Sequence, residues 1–89
     1  MNDMSKVDYI VNRVFEEAEA YNINASSDLV ADIATGRREL FFDFRKNGRY
    51  VVVTIDESYI YSVKFKDIDS IVNSVIEKME ELVWVIYQK

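Results

Sequence analysis

The chain has 89 residues, 49% of them hydrophobic and 13% aromatic, and carries a formal net charge of −5. That size gives one domain over residues 1–89 with enough apolar mass for a core. His and Cys are absent, which excludes disulfides, the usual nucleophile–base pairs and nearly every structural zinc arrangement, so any chemistry falls to carboxylates, Lys, Tyr or Ser.

No apolar run approaches the roughly 20 residues of a membrane span. The opening stretch MNDMSKVDYIV lacks the basic and apolar regions of a signal peptide, so a soluble, cytoplasmic protein without a membrane partner is expected. Gly36 and Gly48 stand far apart and form no phosphate-binding loop. No cofactor or metal is expected.

In chain order, Ser5 and Asp8 give a capping-box-like start, and Val7, Ile10, Val11, Val14, Phe15 and Ala18 recur at helical spacing. A first helix is predicted from about Lys6 to Tyr21. Asn22 takes the left-handed conformation that ends it, with Ile23 folding back on the last turn. Its polar side holds Glu16, Glu17 and Glu19. In residues 24–35, NASSDLVADIAT, Ser27 caps a short helix bearing Leu29, Val30, Ile33 and Ala34, stopped by Gly36. Leu29, Ala31 and Ile33 also alternate, so an extended edge segment is the alternative.

Residues 39–65 read as three antiparallel strands. Asn47-Gly48 is a two-residue type I′ turn, which places Lys46 opposite Arg49, Phe44 opposite Val51, Phe42 opposite Val53 and Leu40 opposite Ile55. One face is then apolar. The other carries Glu39, Phe41, Asp43 and Arg45 opposite Asp56, Thr54, Val52 and Tyr50, and a one-residue slip would mix the two. Tyr59, Tyr61, Val63 and Phe65 alternate as a third strand after a connection at 56–58. After Phe65 the helical period returns in Ile68, Ile71, Val72, Val75, Ile76, Met79, Leu82, Val83 and Ile86, with Asp67 as N-cap and Glu77, Glu80 and Glu81 among the polar positions. Residues 82–88 either continue this helix or form a fourth strand, and the continuous helix is expected. The fold class is α+β, a two-layer α-(α)-β-β-β-α arrangement in which a three-stranded antiparallel meander carries two long helices on one face.

Charge is segregated. Residues 1–36 hold two basic and seven acidic groups, residues 37–66 seven and four, and residues 67–89 two and five. With Tyr50 opposite Lys64, the expected register gathers Arg45, Lys46, Arg49, Lys64 and Lys66 around Tyr50 as a basic patch for phosphates or an acidic partner. Strand ends are also commonly basic for solubility alone. Glu16, Glu17 and Glu19 lie near the end of the first helix, where its dipole disfavours them. The pairs Asp67/Asp69 and Asp28/Asp32 read as helix-start residues rather than acid–base or metal sites.

The order helix, meander, helix resembles double-stranded RNA-binding domains, but the basic start of that family's last helix is here Asp67-Ile68-Asp69-Ser70. The hairpin LFFDFRKNGRYVVVTI and the helix IDSIVNSVIEKMEEL, with the short length and negative charge, resemble small acidic phage-encoded anti-CRISPR proteins. That resemblance implies a non-enzymatic viral or mobile-element inhibitor in the host cytoplasm. Its partner would be a host protein or ribonucleoprotein effector of a nucleic-acid-targeting defence system. Acidic surfaces, Glu16, Glu17, Glu19, Glu77, Glu80 and Glu81, would imitate nucleic acid. The alternative is a small nucleic-acid-binding or regulatory protein using Arg45, Lys46, Arg49, Tyr50, Lys64 and Lys66. A third reading is an oligomeric structural protein using Trp84 and Tyr87 at the helix end or a seam of Phe41, Val52 and Ile60. Trp84 and Val85, outside the main apolar stripe, point to a two-fold homodimer through the C-terminal helix.

Overall fold

The computed structural model describes residues 3–84. They form α1 (Asp3–Ala20), β1 (Asn24–Ala31), β2 (Arg38–Lys46), β3 (Arg49–Asp56), α2 (Glu57–Ser62), a 3-10 turn (Phe65–Asp67) and α3 (Asp69–Trp84). The α+β class holds, with three antiparallel strands in the order β1-β2-β3. One of those strands is a different segment from the one expected.

The β2–β3 hairpin matches its predicted register pair by pair, from Lys46 opposite Arg49 to Glu39 opposite Asp56. Asn47 and Gly48 both have positive φ, 53° and 79°, as a type I′ turn demands. Leu40, Phe42 and Phe44 are buried under the helices. Phe42 stacks on Phe44 with ring centroids 5.7 Å apart and meets Phe15 of α1 edge-on at 6.5 Å.

The end of α1 is also as expected. Asn22 has φ 57°, Asn22 N–H bonds Glu19 O at 3.1 Å, and Ile23 N–H bonds Ala18 O at 2.8 Å. Ile23 is buried, which completes a Schellman cap. The helix spans Asp3–Ala20 rather than starting near Lys6, so Ser5 lies within it instead of preceding it.

Residues 24–31 are a strand, not the expected short helix. They pair antiparallel with β2, from Asn24 opposite Arg45 to Ala31 opposite Arg38, the edge alternative. The helix would have needed Ile33 in its buried stripe, and Ile33 is 99% exposed. Asp32 closes the β1–β2 connection: its carboxylate accepts Ala34 N–H at 2.9 Å and its backbone N–H bonds Arg37 O at 2.8 Å. Gly36, at φ 73°, supplies the left-handed residue of that turn instead of stopping a helix.

The expected third strand at 59–65 is corrected in the opposite sense. The Asp56 carboxylate accepts Ser58 N–H at 2.8 Å and Ser58 Oγ–H at 2.7 Å, which caps α2. Glu57, Ile60 and Tyr61 then share one face at helical spacing. Ile60 enters the core, so the expected Phe41, Val52, Ile60 seam loses its third member. Phe65 packs on Tyr9 at 5.4 Å and Ile68 is buried. These contacts draw the approach to α3 into the 3-10 turn, with Asp67 inside it rather than at an N-cap.

Exchanging a strand for α2 reverses α3. A strand over 59–65 would have returned the chain to the hairpin tip, whereas α2 leaves it at the opposite end of the sheet. So α3 starts beside the start of α1, where Tyr9 Oη–H bonds Asp69 Oδ1 at 2.7 Å, and ends beside its end, where Tyr21 Oη–H bonds Glu80 Oε2 at 2.6 Å. The two long helices run parallel on one face of the sheet. Their buried stripes, Val7, Ile10, Val14 and Ala18 with Ile71, Val72, Val75, Met79 and Leu82, meet the β2 phenylalanines in one core. Among the described residues no helix packs on the other face of the sheet, where Val30, Tyr50 and Val52 are exposed. The helix holds through Leu82–Trp84, and the choice between helix and strand beyond Trp84 lies outside the described residues. Among the described residues no helix is long and apolar enough to cross a membrane.

Candidate functional site

The parallel helices bring six carboxylates to one end of the molecule. Glu16, Glu17 and Glu19 occupy the last part of α1, and Glu77, Glu80 and Glu81 the last part of α3. α1 has no basic residue in its last turn, so Glu17 and Glu19 there add to the partial negative charge of its dipole. Glu16, Glu19, Glu77 and Glu81 are exposed, and Glu17 and Glu80 half-buried. Arg13 Nη1 lies 3.1 Å from Glu16 Oε1, and Lys78 Nζ 3.8 Å from Glu81 Oε2. Such exposed pairs within one helix hold their partners weakly. Glu80 differs, since it accepts the Tyr21 hydroxyl and that bond, more than burial, pushes the Tyr21 pKa up. Glu80 therefore ties α1 to α3, Glu17 is half-buried, and the other four are exposed.

The basic residues are not gathered as the sequence suggested. Arg45, Lys46, Arg49 and Tyr50 stay together around a hollow of about 270 Å³ at the hairpin tip. Lys64 and Lys66 flank and enter the 3-10 turn, at the far end. Lys6 marks that end by donating to Tyr61 O and Val63 O at 2.9 and 2.7 Å, while Lys46 marks the near end by donating to Tyr21 O at 2.9 Å. From Lys6 to Tyr21 the helix rises about 22 Å at roughly 1.5 Å per residue. Within the tip, Arg45 is held by Asp43 through bonds of 3.2 and 3.1 Å, which raises its pKa, and Lys46 caps α1. Arg49 and Tyr50 face solvent. The tip also lies beside the carboxylate end, which weakens its pull on phosphate.

Among the described residues no group of carboxylates is placed to hold a metal ion. Asp28 accepts Leu29 N–H at 2.9 Å, Asp32 closes its turn and Asp69 takes the Tyr9 hydroxyl. No protein family, curated protein or solved structure matches the chain.

Two features were not read from the sequence. Glu57, the sole buried charged side chain among the described residues, is gripped by Arg38 (Nε to Oε1, 2.9 Å) and by the Tyr61 hydroxyl. The Glu57/Tyr61 spacing of four residues is a usable signal of this contact where 57–62 is helical. The second is a groove between α1 and the edge of β1, which exists because residues 24–31 are a strand. Trp84 is 53% exposed at the carboxylate end, and Val85 and Tyr87 lie outside the described residues.

Proposed function

We propose that the chain is a small non-enzymatic binding protein whose carboxylate end docks on a basic surface of a protein that handles nucleic acid. In its specific form it is an inhibitor of a host nucleic-acid-targeting complex, the activity implied by the anti-CRISPR resemblance. The observation that carries this reading is the parallel pairing of α1 and α3, which brings the exposed Glu16, Glu19, Glu77 and Glu81 towards the same end of the molecule. Such a surface presents closely spaced negative charge to Lys and Arg as a phosphate backbone does. The Asp28/Asp32 and Asp67/Asp69 pairs do not favour catalysis, because Asp28, Asp32 and Asp69 are engaged by local backbone or tyrosine groups.

Co-purification from a bacterial lysate tests the reading with E16K/E77K/E81K, exposed positions away from Tyr21, and with R45E/R49E at the tip. The expected result is a protein partner retained by the wild type and the tip variant and lost by the helix variant. A nucleic-acid gel shift that falls steeply with salt and disappears only in the tip variant would overturn it. Exposed Trp84 supports a separate proposal, a two-fold dimer. Sedimentation of a monomer at high micromolar concentration removes that.

A further inference from the structure

The register shows which backbone groups of β1 face outward. Lys46 and Arg49 close the two-residue turn as a hydrogen-bonded pair, so Phe44, Phe42 and Leu40 bond β3, and the alternate residues of β2 bond β1. On β1 this leaves the N–H and C=O groups of Ala25, Ser27, Leu29 and Ala31 turned away from the sheet. Leu29 shows the direction: its N–H is taken by the Asp28 carboxylate at 2.9 Å. The strand Asn24–Ala31 has no Lys and no Pro, the usual guards of an open edge.

Above that edge lies α1. Ala25 and Ser27 are small, so helix and strand do not close on each other, and two hollows of about 510 and 250 Å³ run end to end between them. Val11 and Phe15 of α1 form the apolar wall, and Asp8, Glu19 and Asp28 are exposed at the rim.

We propose that this groove receives an extended basic segment of a partner protein as a fourth strand beside β1. Alternate side chains of that segment pack under Val11 and Phe15, and its backbone bonds the outward groups of Ala25, Ser27, Leu29 and Ala31. Basic character follows from two observations. The rim is acidic, and the incoming strand must draw the Asp28 carboxylate off Leu29 N–H, which an opposing Lys or Arg does by pairing with it. A second copy of β1 would instead set Asp28 and the acidic rim against themselves. The proposal rests on the reading that the partner is a protein, but its site is apart from Glu16, Glu77 and Glu81.

The probe is a pair of end-blocked seven-residue peptides, one alternating Lys with Val and one alternating Ser with Val, titrated into the full chain under NMR. The Lys–Val peptide is expected to bind at least tenfold tighter, to shift the amides of Ala25, Ser27 and Leu29 and to slow their hydrogen exchange, with Val52 and Thr54 on the β3 edge unaffected. S27P removes one outward N–H where an edge strand accommodates proline, and is expected to weaken binding at least tenfold with an unchanged circular dichroism spectrum. D28A should narrow the preference for Lys over Ser. Should S27P not fold, a Lys–Val peptide N-methylated at alternate residues is the second measurement, and it should lose binding. Equal affinity of the two peptides, shifts confined to β3, or an N-methylated peptide that still binds overturns the proposal. Peptide binding retained by E16K/E77K/E81K while the cellular partner is lost supports the groove as a distinct site. Loss of the peptide in that variant overturns the assignment.

Discussion

The two ends of the molecule treat charge in opposite ways. Where α2 meets the sheet, Glu57 is buried against Arg38 and Tyr61, Asp56 caps the helix, and Lys6 donates to two carbonyls at its close. Along the second halves of α1 and α3, Glu16, Glu19, Glu77 and Glu81 are exposed, and Glu19 lies in the last turn of α1, where the dipole disfavours it. The difference teaches which charges serve the fold. A carboxylate that is enclosed with its partners holds elements together, whereas an exposed one with at most a weak ion pair contributes little to the fold.

Removing Glu57 should have the largest effect. Glu57→Ala strips Arg38 and Tyr61 of their shared acceptor and should cost on the order of 2 kcal/mol in urea denaturation, as for hydrogen bonds to charged groups. The same group has a pH signature. Tyr61 first, then Arg38, holds the Glu57 carboxyl below its ordinary 4.5, so the folded state binds that proton less readily than the unfolded chain. Its stabilisation is full above about pH 4.5 and lost as pH falls below that. An acid titration of stability should steepen there, and Glu57→Gln should flatten it.

At the hairpin tip, Gly48→Val should cost about 1–2 kcal/mol. A Cβ there meets nothing within 4 Å, so the whole effect is the left-handed backbone, and an unchanged denaturation midpoint would contradict the turn. Lys46→Met removes a cation from the end of α1 and should cost about 0.5–1 kcal/mol. The smallest effect belongs to E16K/E77K/E81K. Two weak ion pairs at exposed positions are lost, so thermal unfolding should show stability changed by no more than about 0.5 kcal/mol. A large loss there would mean that the carboxylate end is as structural as the Glu57 end.

The hairpin was legible because two independent constraints agreed, the Asn47-Gly48 turn and the alternation along both strands. Asn22 and Ile23 were legible because a Schellman cap is local. Residues 24–31 and 57–62 were not, since runs of eight and six residues satisfy both periods. What decided them lies far off in the chain: pairing with β2 for the first, and for the second Arg38, 19 positions from Glu57, with the core around Ile60. The carboxylates of the candidate site could be named from sequence, but their convergence could not. It depends on the direction of α3, and that direction was set by the misread segment.

Parallel α1 and α3 also bear on folding. Their two tyrosine–carboxylate bonds join residues 60 and 59 positions apart, among the most distant contacts the chain makes, whereas the β2–β3 hairpin closes across two residues. Loop closure of that length is slow relative to a tight turn, so the hairpin should be protected early in pulsed hydrogen exchange and the α1–α3 seam late. Any partial opening that undocks α3 separates Glu77 and Glu81 from Glu16. The meeting of the α1 and α3 carboxylates therefore exists only in the fully assembled chain, so a partner of the kind proposed above would distinguish the native protein from its folding intermediates.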